Sequence, residues 1–419
     1  VTAQTDVVIV GGGLAGLACA RLLTRQGLGV RLLEASDDVG GRVRTDAVDG
    51  FLLDRGYQVV LTQFPELHHQ LDLAALGLER YEPGAIVRVH GRFHRVDDPR
   101  RHPGRALATL TAPVGTFADD LRLLALVADL WRADPRSLLR RPDTTTLESL
   151  RRRGFSEKMI GRLWRPLFAG IQLDPDLEVS SRRFEVILAM LAEGAAAHPA
   201  TGVQAIPRQI ADDLPPGVVE VDAPVARIDA TTAHLADGRA VSGRALVVAT
   251  EGPAAARLLG LPDPGSRAET CVYYAADEPP LTERMIVLDG TREGPVNNLS
   301  VVSNVAPSYA PPGRALVAAV APGMVPDDPV ALEADVRRQL RGWFGGAVDR
   351  WEHLRTYCIP HAHPDQRPGF SPKRRVRLGD GVYVCGDHRD TASTQGALYS
   401  GRRTASAVWA DLVRPTAPV

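Results

Sequence analysis

Val7-Val8-Ile9-Val10 runs without interruption into Gly11-Gly12-Gly13-Leu14-Ala15-Gly16, and a second apolar run, Val30 to Leu33, ends on Glu34. An apolar strand, a Gly-x-Gly-x-x-Gly turn, a helical pattern through Leu22 and Leu23, and an acid closing the next strand fall in the order of a dinucleotide-binding βαβ unit. Gly11 permits the sharp turn, Gly13 permits close approach to a pyrophosphate, and Gly16 permits helix and strand to pack together. The helix that follows offers unpaired N–H groups to phosphate. Glu34 is placed to accept hydrogen bonds from a ribose diol. A glycine-rich turn with a solvated acid at a strand end would account for only one of these features.

The chain has 419 residues, enough for a large core and for two domains. With 49 basic against 50 acidic residues the net charge is -1, which gives no electrostatic footprint for nucleic acid. Cys19, Cys271, Cys358 and Cys385 lack CxxC spacing, so neither a zinc site nor a disulfide framework is expected; Cys19 and Cys385 read as buried small hydrophobes. No basic region and apolar stretch precedes the first strand, and no uninterrupted apolar run reaches about 18 residues. A cytoplasmic enzyme without a signal peptide or a spanning helix is the expectation.

Beyond the first unit, Val39-Gly40-Gly41-Arg42-Val43-Arg44-Thr45 could bring backbone and a guanidinium to phosphates, and Phe51 to Val60 reads as a strand, a tight glycine at Gly56 and a second strand. A hairpin is expected around Gly91. From Val114 to about Ala197 the periodicity is helical, with Leu121, Leu124, Ala128 and Trp131 recurring at helical spacing. Val219 to Val221, Val225 to Ile228 and the residues around Asp237-Gly238 suggest a small antiparallel sheet. Ala245 to Thr250 is apolar enough for a strand covered on both faces. Strands follow near Cys271, Met285, Leu299 and Ala315, then an amphipathic helix from Val330 to Phe344 and a strand from Trp351 to Ile359 leading into a proline-bounded loop with His361 and His363. Val382 to Cys385, Gly386-Asp387 and a helix from about Gly396 to Leu412 close the chain. The expected fold is α/β: a Rossmann-like domain from residues 1–60, 200–265 and 370–419, and a mixed sheet from 61–199 and 266–369 carrying the helical insertion at about 114–197.

Four places give the sequence its resemblance to the flavoprotein superfamily of flavin amine oxidases, phytoene desaturases and protoporphyrinogen oxidases. They are Gly11 to Gly16 with Glu34, Gly40-Gly41-Arg42 with Thr45, Pro199 to Pro207 leading to Val225, and Val384-Cys385-Gly386-Asp387 followed by Thr394 to Gly401. The resemblance implies a GR2-type fold and FAD, bound noncovalently, with Gly11, Gly13, Leu14, Ala15, Gly16, Glu34, Ala35, Gly41, Arg42, Gly56, Tyr57, Val225, Gly386, Asp387, Gln395, Gly396 and Ala397 as the residues that hold it. It implies that Asp387 meets the ribityl or phosphate region and that the helix start at Gly396 presents amides to the flavin pyrimidine. Arg165 to Gly170 resembles a helical signature of the desaturase-like and porphyrinogen-oxidase-like branches. Many amine oxidases of the superfamily carry a lysine that holds a water against flavin N5, and neither Lys158 nor Lys373 suits that position.

The resemblance therefore implies an FAD-dependent oxidoreductase that dehydrogenates or desaturates a lipophilic or conjugated small molecule, with oxygen or another acceptor reoxidising the flavin. Alternatives are a flavin amine oxidase with an atypical site, a non-redox isomerase using reduced FAD, and a non-catalytic flavin-binding scaffold. Candidate catalytic residues are Tyr57, His388 and Tyr357, with His388 singled out because a histidine exchanges protons near neutral pH. Trp164, Phe168, Tyr273 and Tyr274 are expected to line or support the cavity. No metal site is expected from His361 and His363, which lack a third ligand. Leu121 to Trp131 is expected to pack into the core in preference to lying on a membrane surface.

Overall fold

A computed structural model describes residues 4–98, 101–102, 104 and 112–413. The outermost residues of the expected terminal segments, 1–3 and 414–419, lie outside the described residues. Val7, Val8 and Ile9 of the strand Gln4–Val10 and Leu246, Val247 and Val248 of the strand Ala240–Val248 have no exposed surface. Strands without a polar face need cover on both sides, and these two pair in parallel at the centre of an eight-stranded sheet. Val30–Leu33 and then Val219–Glu220 extend it in parallel on one side. Val382–Val384 adds a parallel strand beside Ala240–Val248. Its antiparallel part, Val225–Asp229 and Thr232–Leu235, continues the same sheet. The separate small sheet expected there does not form: Val219–Glu220 pairs in parallel with Val30–Leu33, and the two antiparallel hairpins that follow, Val225–Asp229 with Thr232–Leu235 and Thr232–Leu235 with Ala240–Val248 around Asp237-Gly238, belong to the same large sheet.

The second sheet is mixed and has seven strands, in the spatial order Glu352–Pro364, Ser266–Ala276, Ala315–Pro322, Asn298–Val301, Ile286–Asp289, Gly84–Val89 and Arg92–Asp97. Its one parallel pairing joins Ile286–Asp289 to Gly84–Val89. The hairpin expected at Gly91 is present, and His90 and Gly91 both take the positive φ that a tight two-residue turn requires. Pro360 and Pro364 lie within an edge strand, where a missing N–H costs no ladder bond, so His361 and His363 stand on a strand and not in the expected loop.

The helical segment includes Phe117–Arg132, Thr146–Arg152, Arg165–Gln172 and Ser181–Glu193, with Arg165–Gln172 packed on the second sheet and Phe117–Arg132 on Ser181–Glu193. Thr116 caps the first of these through a reciprocal pair with Asp119. A π-helical turn, Ile160–Trp164, precedes Pro166, whose missing N–H disturbs the regular i→i−4 ladder. Among the described residues, no helix is long and apolar enough to cross a membrane. All four cysteines are free, and Cys19 and Cys385 are fully buried.

The two ends of the chain meet through glycine. A Cβ on Gly401, in the last helix Thr394–Val413, would fall far inside contact distance of the Ala15 carbonyl in the first helix, Leu14–Arg25. Gly401→Ala should therefore force the helices apart and cost roughly 1–3 kcal/mol, as overpacking does. Gly342→Ala, at a helical position with no atom within 4 Å of the added carbon, should instead stabilise by about 0.5–1 kcal/mol. Thermal denaturation of the two variants beside wild type checks both signs.

Candidate functional site

At the carboxyl ends of the central parallel strands a single cavity of about 1130 Å³ opens, running from the glycine turn to the helical segment. That exceeds the roughly 300–1,000 Å³ of an ordinary ligand pocket and leaves room for a large cofactor with a second molecule. One end is backbone-rich, with Gly11, Gly13, Leu14, Ala15, Glu34 and Ala35 in the wall. Gly41, Arg42, Val225, Gly386, Asp387 and Ala397 lie farther along. The other end is apolar, with Leu163, Trp164, Leu167, Ile171, Leu188 and Leu288.

The glycine turn is built by close contact. A Cβ on Gly16 would overlap the Gly11 carbonyl, and one on Gly11 would lie 2.9 Å from the Ala249 oxygen. A Cβ on Gly13 would meet nothing within 4 Å, so this glycine faces open cavity. The helix it starts has no side-chain cap and no acid in its first turn, leaving its amides free for an anion. Glu34 is already oriented: Oε2 accepts from Gly12 N at 2.6 Å, and Oε1 accepts from Ser36 N and Oγ at 2.9 and 2.6 Å. The second glycine loop joins the first through Gly40 N, which donates to the Gly12 carbonyl at 2.9 Å.

Two guanidinium groups reach the middle of the cavity. Arg42 donates to the Ala362 carbonyl at 2.6 Å and to Asp387 Oδ1 at 2.8 Å. Burial raises the Asp387 carboxyl, but the Arg42 charge more than offsets this and holds it below the usual carboxylate range. Arg183 is buried, donates from Nη2 to the Ala392 carbonyl at 2.6 Å, and keeps Nη1 buried without a hydrogen-bond partner. Burial pulls its pKa down to about 10. A buried cation with an unused donor, in the same cavity as an uncapped helix start, fits a cofactor carrying phosphates and carbonyl oxygens.

Several expected site residues are elsewhere. Gly16 and Gly56 do not line the cavity; they make the close backbone packing around it, Gly56 at φ +86° against Ile359 and Glu269. Gln395 turns away, its Oε1 accepting from Glu66 N at 2.8 Å. The Gly396 amide is taken by Ser393 Oγ at 3.1 Å, so it is not free for a ligand. Tyr357 is outside the cavity wall, packed edge-on against Tyr273, and donates to Asp46 Oδ2 at 2.7 Å. Phe168, Tyr273 and Tyr274 are also outside the cavity wall, Tyr274 donating to Glu333 at 2.9 Å. Trp164 is in the wall as expected.

His388 is corrected more deeply. Its ring packs beneath Gly386, where an added Cβ would lie 2.5 Å from Cε1, and it is absent from the cavity wall. Burial pulls its pKa down to about 4, so it stays neutral at pH 7 and is no proton-exchanging group there. The helix Phe117–Arg132 also differs from expectation: it buries Leu126 and Leu130 but leaves Phe117 68% and Trp131 66% exposed, with Leu121 and Leu124 also exposed. Leu124 and Val127 reach the cavity wall from it.

Of the candidate catalytic residues, only Tyr57 lies in the wall. Its hydroxyl pairs with Tyr81 at 2.7 Å, and the Tyr81 oxygen lies 2.9 Å from His198 Nε2 and 2.8 Å from Ser300 Oγ. His198 is neutral, since burial pulls its pKa down to about 3. Sequence reasoning missed Arg183 and Glu269 and weighed His363 only as a metal ligand; all three are in the wall. Burial takes the pKa of His363 down to about 3 and pushes that of Glu269 up to about 7. The one signal for Glu269 was an acid two residues ahead of the apolar run Cys271 to Ala276. No lysine lines the cavity among the described residues; Lys158 donates to the Gly115 carbonyl at the surface, and Lys373 lies over the Tyr399 ring. Among the described residues no cluster of His, Cys, Asp or Glu suits a metal ion.

Residues 14–409 match the family described as flavin containing amine oxidoreductase. The chain belongs to this family. Putrescine oxidase of Kocuria rosea is 46% identical over 79 residues, which is 19% of this chain and 16% of that protein. Protoporphyrinogen oxidase 2 of Arabidopsis thaliana is 27% identical over 171 residues, 41% of this chain and 33% of that protein. These alignments thus span at most a third of the relatives' lengths. A putative protoporphyrinogen oxidase from Exiguobacterium sp. 255-15 has the same fold, with a TM-score of 0.72 at 18% identity over 98% of this chain and 100% of the other. Proteins named for amine and for porphyrinogen oxidation both stand among the relatives, and the family match does not favour the desaturase-like side. The fold is α/β with a nucleotide-type sheet assembled from discontinuous segments and a second mixed sheet with helices, as expected.

The environment of Glu269 has a consequence for stability. Its folded pKa, about 7, lies above the unfolded value near 4.5, so the folded chain keeps a proton that the unfolded chain releases. This contribution favours folding below about pH 4.5 and is lost as pH rises towards 7. Glu269→Gln should therefore stabilise the cofactor-free protein at about pH 8 by up to roughly 3 kcal/mol, with the gain vanishing near pH 4.5. Urea denaturation at both pH values measures the difference.

Proposed function

We propose that the chain is an FAD-dependent oxidase that dehydrogenates a small molecule with a largely apolar body, an amine bearing a hydrophobic or conjugated group being the first substrate class, with oxygen as acceptor. The observation that carries this reading is the continuity of one cavity from the glycine turn and Glu34 to the apolar pocket at Trp164 and Leu167. Family membership supports FAD, and relatives named as amine oxidases favour the amine. In this reading Glu34, Ala35 and Val225 take the adenosine end, the helix start at Gly13 to Ala15 with Gly41 and Arg42 takes the phosphates, and Gly386, Asp387 and Ala397 hold the flavin end. Residues 1–60, 200–265 and 370–419 then form the cofactor domain, and the remainder carries the substrate.

Bound FAD supplies a two-electron acceptor. The protein's part is to orient the substrate and keep water from it. Leu163, Trp164, Leu167 and Ile171 would hold the apolar body, and Tyr57, fixed by Tyr81, would limit its approach from the other wall. His363 and His388, neutral at pH 7, add no positive charge to repel a protonated amine.

The absence of a lysine from the described wall favours a second reading: desaturation of a porphyrinogen or a polyene, for which no lysine-held water is required. An anaerobic screen of purified holoprotein separates the two. Arylalkylamines and diamines should bleach the flavin and yield the aldehyde after hydrolysis; bleaching by porphyrinogens or polyenes alone overturns the amine in favour of desaturation. The cofactor assignment has its own check. Gly13→Glu places a charged side chain into open cavity without a clash, so the variant should fold with an unchanged circular dichroism spectrum and purify colourless. Normal flavin content in it would refute the proposed phosphate position.

A further inference from the structure

Four buried carboxyl groups stand in the cavity wall, and three are held by hydrogen-bond donors or an arginine. Glu34 accepts three hydrogen bonds, Asp97 pairs with Arg95, and Asp387 pairs with Arg42. Glu269 differs. It is 5% exposed, and its Oε1 accepts from Tyr57 N at 2.8 Å. Among the described residues no Arg, Lys or His pairs with it, and Oε2 has no hydrogen-bond partner.

Its neighbours leave the carboxyl free to change charge. Ile359 and Pro322 oppose it on the two flanking strands, and Gly56 faces Oε2, where a Cβ would lie 3.3 Å away. Tyr57, Cys271 and Tyr273, the titratable groups around it, are all neutral at pH 7, because burial pushes each well above its ordinary pKa. The nearest hydrogen-bonded neighbour, Tyr57, lies in the same wall. A carboxyl with one fixed oxygen, one unpaired oxygen and no compensating cation is built to gain and lose a proton.

We propose that Glu269 is the proton acceptor of the reaction, taking the proton that leaves the substrate and holding it while the flavin is reduced. The proposal rests on the oxidase reading given above. Substrate oxidation removes a hydride, with its two electrons, and a proton. The C–H bond breaks as the hydride goes to the flavin. The neighbouring N–H or C–H bond breaks as its proton forms an O–H bond on Glu269, and the electron pair left behind completes the C=N or C=C double bond. Reoxidation by oxygen, which leaves as hydrogen peroxide, removes the flavin's electrons and returns the proton from Glu269. Burial that raises the carboxyl pKa to about 7 poises it for exchange at neutral pH.

The test uses holoprotein and no substrate, so its outcome is independent of the amine screen. Photochemical reduction at about pH 8 is followed by reduced-minus-oxidised infrared difference spectroscopy, since reduction adds negative charge beside the carboxyl and should draw a proton onto it. Wild type should gain the C=O stretch of a protonated carboxyl and lose a carboxylate band, and Glu269→Gln, with its flavin retained, should show neither change. The pH dependence of the flavin midpoint potential should steepen above about pH 7 in wild type and lose that break in Glu269→Gln. The same carboxyl bands in the glutamine variant, or none in wild type, overturn the proposal. Should the glutamine variant purify without flavin, the Glu269→Asp holoprotein decides: a carboxyl band displaced in frequency assigns the proton to residue 269, and an unmoved band refutes it.

Discussion

The fold depends on a backbone-to-backbone approach that only glycine permits. Gly16 sits against the Gly11 carbonyl, Gly11 against Ala249 at the end of the neighbouring strand, and Gly401 against the Ala15 carbonyl. These contacts tie together the first strand, the first helix, the strand Ala240–Val248 and the last helix, four elements drawn from the beginning, middle and end of the chain. Because there are no side chains between the backbones, the first helix lies close enough to its strand for its free amides to face the same cavity as Glu34. The discontinuous architecture follows: the segments between these elements can form a second sheet and a helical wall while the glycine contacts keep the cofactor end rigid.

That arrangement also decides the electrostatics. Glu269 is buried in the cavity wall and burial dominates its environment, with no cation among the causes of its raised pKa. Desolvation disfavours whichever form carries charge, so it pushes carboxyls up and histidines down together. Where a partner is built in, the outcome reverses, as Arg42 does for Asp387. Glu269 and Asp387 thus share a cavity and lie on opposite sides of the usual carboxylate range, which separates a group that anchors from one that can exchange a proton.

What the sequence disclosed was what it encodes locally. The turn at Gly11 to Gly16, Glu34 at its strand end and Gly386-Asp387 after the last parallel strand are short patterns whose geometry needs no distant partner. Gln395 and Gly396 misled because their roles depend on what folds beside them: Glu66 takes the glutamine and Ser393 the glycine amide. His388 carried the right chemistry at its unperturbed pKa, and burial beneath Gly386 removed it. Glu269 could not be singled out, since an acid beside an apolar run is equally compatible with a solvated strand end. Only its pairing between two strands, opposite Ile359 and Pro322, makes it dry.

The helix Phe117–Arg132 marks the same limit from the other direction. The spacing of Leu121, Leu124, Ala128 and Trp131 specified a helix and pointed to that face as the buried one, but the buried face carries Leu126 and Leu130. Phe117, Leu121, Leu124 and Trp131 share another face, so the helix has more apolar surface than one core contact can cover. Helical spacing identifies apolar faces but not which of them the rest of the chain will meet. Here the interior took the face with Leu126 and Leu130, the cavity took Val127, and the stripe from Phe117 to Trp131 stayed outside beside the wall to which Leu124 contributes. The apolar lining of the pocket thus continues through Leu124 onto an exposed apolar helix face, and Asp120 of the same helix also stands in the wall.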